Sequence, residues 1–330
     1  MQKTLLIFLF SILALYSASK PTLTVYTYDS FTAPWGAAAK VKEAFEKEHN
    51  ATLKFVSASS AIGALRKIQL EGTQTKADIL MGLDTATMEM AKKTGLFAPH
   101  DLNLSRISLP VAYSDDIFVP YDYNYFAFVY DSDIVKNPPN SFEALAAMPK
   151  DFKIIIEDPR SATPGMGLLL WIKTVYGDRA STYWQRLSPH ILTITKGWSE
   201  AYTLFLKGEA DMVLSYTTSP AYHQYTEHQN DIKAALFKEG NYGQIEVAAM
   251  LKRTKHPDLA KAFLDLLLSE KFAEIIPTTN WSYPVRTPAS GLPKVFEILP
   301  RPKQMLLMDP KQVEQQRKIY LHEWLRAIGQ

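Results

Sequence analysis

Along most of its length the chain switches between two spacings of apolar residues. Runs that are apolar throughout or at every second position, Leu23–Tyr28, Thr52–Ser57, Asp78–Leu83 and Lys153–Glu157, predict strands. Between them, apolar residues three or four apart predict amphipathic helices. Lys40–His49 turns Val41 and Phe45 inward, Ala61–Glu71 lies between a candidate N-cap at Ser59 or Ser60 and a stop at Gly72, and a third helix ends at Gly95. This alternation predicts an α/β fold of mostly parallel sheets flanked by helices.

Two stretches depart from it. Asp116–Tyr130, reading DIFVPYDYNYFAFVY, is too long and too aromatic for one ordinary strand and is expected to carry the chain from one lobe to another; Gln244–Leu251 is the expected return crossing. Between them, the turn cluster Asn137-Pro138-Pro139-Asn140 ends one unit. Thr163 is the expected N-cap, and Pro164 the first residue, of an apolar helix running to Tyr176. A helix after Pro257 places Leu259, Phe263, Leu266 and Leu267 inward and is followed by a loop, Pro277–Val285. A capped helix then runs from Asp309-Pro310 to Ile328 with Val313, Tyr320 or Leu321, Trp324 and Ile328 on one face. Two crossings make a hinge. The expected division is 20–125 plus 247–285 as one lobe and 126–246 plus 286–330 as the other, with a ligand in the cleft at the C-terminal ends of the strands.

Composition narrows the function. With 330 residues and 47% hydrophobic side chains the chain can bury two cores, and its 36 basic and 34 acidic residues leave no field that would attract nucleic acid. Residues 1–19 carry Lys3, an apolar run from Leu5 to Tyr16 and then Ser17-Ala18-Ser19, the pattern of a signal peptide cleaved after Ser19. The chain has no cysteine, hence neither disulfides nor the residue a bacterial lipid anchor requires. A free monomer in the periplasm is the expectation.

The most informative stretch is Ile194–His223, ITKGWSEAYTLFLKGEADMVLSYTTSPAYH. A loop carrying Trp198 is expected to enter a helix that stops at Gly208. A short strand then delivers Tyr216, and Thr217, Thr218 and Ser219 precede a helix opened by Pro220. Tyr28, Trp35, Trp198, Tyr216, Tyr222 and Trp281 fall in predicted loops or strand ends, whereas Trp171, Trp184 and Trp324 sit inside helical patterns and read as core. Ser60, Thr163 and Ser219 each look like the cap of a helix that directly follows a strand, and such N-termini offer unpaired amides to a hydroxyl or phosphate. Aromatic faces around a desolvated cation contribute up to ~2 kcal/mol each. Asp84 reads either as a counter-charge or as the cap of the next helix. No HExxH, GxSxG, phosphate-loop or dinucleotide motif occurs, and the histidines lack metal-ligand spacing, so the expectation is a binding protein without cofactor or metal.

The stretches LTVYTYDSF (23–31), ADILMGLD (77–84), KTGLFA (93–98), YFAFVYD (125–131), EDPR (157–160), TPGMGLLLW (163–171), TKGWSEAY (195–202), LSYTTSPAYH (214–223) and IPTTNWSYPV (276–285) resemble the periplasmic thiamine-binding proteins of bacterial ABC importers. These belong to the bilobed type II substrate-binding proteins. The resemblance implies capture of thiamine and its mono- and diphosphate between two lobes, and delivery to a membrane permease driven by an ATPase. It also implies ligand contacts at Tyr28, Trp35, Thr163, Trp198, Tyr216, Thr217, Thr218, Ser219, Tyr222 and Trp281. Where the family pattern places Asp-Gly this chain has Ser60-Ala61, and Ala162 replaces a serine, so a hydroxyl and main-chain donors are what those positions offer. A ferric-ion carrier of the same architecture is the alternative, using Tyr216, Tyr222 and His223. Thiamine-cleaving enzymes of this fold use a cysteine nucleophile, which the chain lacks.

Overall fold

The computed structural model describes residues 20–329, so the predicted signal peptide lies outside the described residues. Eleven strands form one sheet: β1 (Thr22–Tyr28), β2 (Thr52–Ala58), β3 (Ile79–Asp84), β4 (Val119–Asp131), β5 (Ile154–Glu157), β6 (Ile191–Thr195), β7 (Met212–Tyr216), β8 (Ile232–Ala234), β9 (Asn241–Met250), β10 (Tyr283–Pro284) and β11 (Met305–Leu306). The main order is β2-β1-β3-β9-β4-β7-β5-β6, with β8 and β10 on β4 and β11 on β9.

Period-two alternation decides which core each residue joins. On β1, Leu23 and Val25 face a core covered by the Ala38–Glu48 and Pro257–Leu267 helices, while Tyr26 faces the opposite core beneath the Ala61–Glu71 helix. The other end of the sheet repeats the arrangement. Phe126 and Phe128 enter a large core with the Thr163–Tyr176, Ala180–Leu187 and Pro310–Ala327 helices, and Ala127 and Val129 a smaller one under Trp198–Leu206. Burial on both faces accounts for strands that read as continuous apolar runs. Trp171, Trp184 and Trp324 are all core, as expected.

The aromatic stretch expected to cross between lobes is one 13-residue strand. Its first half pairs with β9, from Val119↔Ala248 to Tyr125↔Gly243, and its second with β7, from Phe126↔Tyr216 to Tyr130↔Met212. It is therefore a crossing built as a strand, with the hydrogen-bond ladder handed from one partner to the next. The sheet is parallel at its two ends, β2-β1-β3 and β7-β5-β6, and antiparallel through the centre, because β4 and β9 traverse it in opposite directions. Among the described residues no helix is long and apolar enough to cross a membrane.

Candidate functional site

Where β4 and β9 cross, the two ends of the sheet enclose a cavity of about 490 Å³. Aromatic rings make its walls. Trp198 lies parallel to Tyr202 with ring centroids 4.9 Å apart, and Trp35 meets Trp198 and Tyr222 at 6.4 Å each. Tyr222 meets Trp281 edge to face at 5.5 Å, and Tyr216 packs on Phe126 at 5.4 Å. Trp35, from the first end of the sheet, is 44% exposed and closes the rim over rings supplied by the second.

Each ring is held by its own local structure. Trp198 does not sit in a loop as expected but opens its helix: Gly197, at φ −157° and ψ 165°, is the N-cap, and the Glu200 carboxylate accepts from Lys196 N at 3.4 Å. The Trp198 indole donates to Ser215 Oγ at 2.8 Å, and Ser215 Oγ is 2.8 Å from Ser219 Oγ. Tyr28 lies against Gly82, where a Cβ would come within 2.3 Å of its ring and φ is +105°. Trp281 adopts φ +56°, a left-handed conformation that a bulky side chain occupies at a cost of roughly 1–3 kcal/mol, and its indole reaches the cavity beside Tyr222.

The helix caps differ in part from expectation. Ser60 is an N-cap, its hydroxyl accepting from Gly63 N at 3.0 Å, and Ser60 and Ala61 both line the cavity. Thr163 is not the cap. The helix starts one residue early, with Ala162 as N-cap in the extended conformation (φ −124°, ψ 139°) and no side-chain bond, so that Thr163 is already its first residue. Ala162 and Thr163 line the cavity as the uncapped first turn of a 14-residue helix. Ser219 likewise begins its short helix after Thr218, and its hydroxyl accepts from Tyr216 N at 3.3 Å, which ties the helix back to β7. Thr218 lines the cavity, but Thr217 does not: in the turn that follows β7, Thr217 is fully buried, its backbone N–H donating to the Tyr125 carbonyl at 2.9 Å. Asp84 is also withdrawn, accepting from Thr87 Oγ1 at 2.7 Å; burial raises its carboxyl to about 6.

A set of polar residues went unrecognised in the sequence. Asp122 stands opposite Glu246, and Asn124 opposite Gln244, in the β4–β9 ladder. Glu246 Oε2 accepts from the Tyr28 hydroxyl at 2.8 Å and the Tyr121 hydroxyl at 2.9 Å, and Asn280 Nδ2 donates to Asp122 Oδ2 at 2.7 Å. Burial and the adjacent carboxylate hold the Glu246 carboxyl well above its ordinary range, and burial raises that of Asp122 as well. Glu246, Gln244, Asn124 and Asn280 line the cavity. The signal was present: polar residues two apart, Asp122 and Asn124, Gln244 and Glu246, interrupt two stretches that are otherwise buried strand.

Two hydrogen bonds bridge the cleft. Ser199 Oγ donates to Asp29 Oδ1 at 3.1 Å across its mouth, and the Arg66 guanidinium donates to the Arg160 carbonyl at 3.1 Å. His223, a candidate iron ligand, has both nitrogens engaged, Nε2 with the Tyr202 hydroxyl at 2.9 Å and Nδ1 with Glu227 at 2.6 Å. Among the described residues no group of three or more His, Asp or Glu is placed to hold a metal ion.

Comparison with known proteins gives this geometry a family. Residues 28–274 match the bacterial extracellular solute-binding proteins. The chain is 48% identical to the thiamine-binding periplasmic protein of Brucella melitensis, with 97% of each chain covered, and 48% identical to that of Escherichia coli, with 94% of each covered. A solved periplasmic thiamin binding protein superposes with a TM-score of 0.91 at 48% identity, covering 94% of this chain and 98% of that one. The aromatic cleft at the crossing of two long strands is thus carried by a chain that belongs to the bacterial extracellular solute-binding proteins, in the branch of the periplasmic thiamine-binding proteins.

Proposed function

We propose that this protein captures thiamine in the periplasm and delivers it to the permease and ATPase of an ABC importer, acting as a binder rather than an enzyme. The observation that carries this reading is the ring set Trp35, Trp198, Tyr216, Tyr222 and Trp281 around one cavity, on a chain about half identical to thiamine-binding periplasmic proteins. A thiazolium is a fixed cation and an aminopyrimidine is flat; indole and phenol faces suit both. Thiamine mono- and diphosphate are included in the proposal, because the uncapped first turn at Ala162 and Thr163 and the Ser60-capped helix bring N-terminal amides to the same cavity. The contacts proposed are Tyr28, Trp35, Ser60, Ala61, Ala162, Thr163, Trp198, Tyr216, Thr218, Ser219, Tyr222 and Trp281.

The proposed lobes are 20–125 with 247–285 and 126–246 with 286–330. What supports this division is that β4 changes partner between Tyr125 and Phe126, and that the Pro310–Ala327 helix packs into the core of the second lobe, although it also lies beside the Met88–Lys92 helix of the first. Closure of such lobes over a ligand would exclude water and create the surface a permease recognises. Calorimetric titration with thiamine and each ester, beside intrinsic fluorescence, tests the reading. Saturable binding with tryptophan quenching is expected, and no heat with any of the three ligands overturns it. A tyrosine-to-iron absorption band on adding ferric citrate would instead favour iron.

A further inference from the structure

Three carboxylates stand abreast on adjacent strands beneath the cavity: Asp84 on β3 opposite Glu246 on β9, and Glu246 opposite Asp122 on β4. All three are buried, and Glu246 lines the cavity. The groups facing the Asp122–Glu246 pair are the Tyr28 hydroxyl from β1, the Tyr121 hydroxyl from β4, and Asn280 and Ser282 from the loop before β10, while the Asp84 carboxylate on β3 is turned to Thr87. The Tyr216 ring of β7 also lies within the field of the pair. Among the described residues no cation faces it directly; Arg317, from the C-terminal helix, faces Asp84. Asp122 Oδ1 and the cavity-lining Gln244 Oε1 are buried without a partner among the described residues. Two carboxylates side by side in such a place cannot both be charged at low cost.

We propose that Asp122 and Glu246 form a proton-sharing counter-charge that selects a permanently cationic heteroaromatic ring over its neutral isostere, by giving up their shared proton when the cation enters. The inference rests on the thiamine reading. In the step, the O–H bond of the carboxylic acid breaks, its electron pair stays on the carboxylate oxygen, and the proton passes to solvent. The pair gains one negative charge facing a ligand whose own charge is unchanged. A cation a few ångström away in a poorly solvated site stabilises the second carboxylate, which the empty site cannot do. Binding of a neutral ring has no such effect. Selectivity therefore resides in the buried floor as well as in the aromatic walls.

Calorimetry in buffers of different ionisation enthalpy measures the protons released. For wild-type protein with thiamine, release approaching one proton is expected near neutral pH, with affinity rising by up to about tenfold per pH unit in the same range. Deazathiamine, in which a neutral thiophene replaces the thiazolium and the aminopyrimidine is kept, should release none. In E246Q, release on thiamine binding should fall toward zero and the preference for thiamine over deazathiamine should shrink at least about tenfold, equivalent to ~1.4 kcal/mol. Equal proton counts for the two ligands on the wild-type protein overturn the inference and leave the thiamine reading standing; no heat with thiamine overturns both. Because the two-ligand comparison uses wild-type protein, it decides the matter even if E246Q does not fold.

Discussion

Replacing Trp198 with alanine tests the binding reading most directly. The indole has three attachments: it stacks on Tyr202 at 4.9 Å, meets Trp35 at 6.4 Å and donates to Ser215 Oγ at 2.8 Å. It is only half-buried, at the edge of a small core, so the fold does not depend on it. Ser215 keeps its contact with Ser219 when the indole is gone, leaving no orphaned hydroxyl. The loss in stability should therefore be modest, about 1–2 kcal/mol. For the ligand, one cation–π face in a closed site contributes ~2 kcal/mol and the contact area adds to it, so the dissociation constant for thiamine should rise about 30- to 100-fold. Trp198→Phe keeps a face without the N–H and should fall between alanine and wild type. Isothermal titration, with a thermal melt of each variant, measures both quantities. An affinity within about twofold of wild type for Trp198→Ala would refute the reasoning, and so would a melting temperature so depressed that the protein is unfolded at room temperature, since Trp198 would then be core.

Three further outcomes follow from the geometry. Gly82→Ala, which sets a Cβ within 2.3 Å of the Tyr28 ring at φ +105°, should cost roughly 1–3 kcal/mol in denaturant unfolding and weaken thiamine binding by displacing Tyr28. Glu157 is fully buried, neither of its oxygens has a partner among the described residues, and burial raises its carboxyl well above the ordinary range. The folded chain then holds a proton that the unfolded chain loses above about pH 4.3, so stability falls as pH rises from there toward the folded value. Melts of Glu157→Gln should show a flatter pH profile and a gain over wild type at the alkaline end. Ser60→Ala removes the bond to Gly63 N and should lower stability by about 1 kcal/mol while weakening the phosphate esters more than thiamine itself, measured by melting and competitive titration.

Much of this protein was legible in its sequence because the deciding physics is local. Hydrophobic period separated strands from helices, and Asp309 and Ser60 cap where their spacing predicted. Exclusion from helical patterns also singled out most of the aromatics that line the cavity, but not Tyr202, which sits inside the Trp198–Leu206 helix. Helix starts were less secure, because Ala162 and Thr163 are both able to take the extended cap conformation and only packing chose between them. The direction of Thr217 and the pairing of Asp122 with Glu246 were beyond a linear reading. Each depends on contacts between residues far apart in the chain, Thr217 N donating to the Tyr125 carbonyl and Asp122 pairing with Glu246. The sequence by itself determined the two-part α/β architecture and the ring set suited to a flat cation. Tertiary structure alone decided that those rings close on one cavity over a floor of buried carboxylates, since burial, and with it the charge a carboxylate can carry, is a property of the assembled sheet.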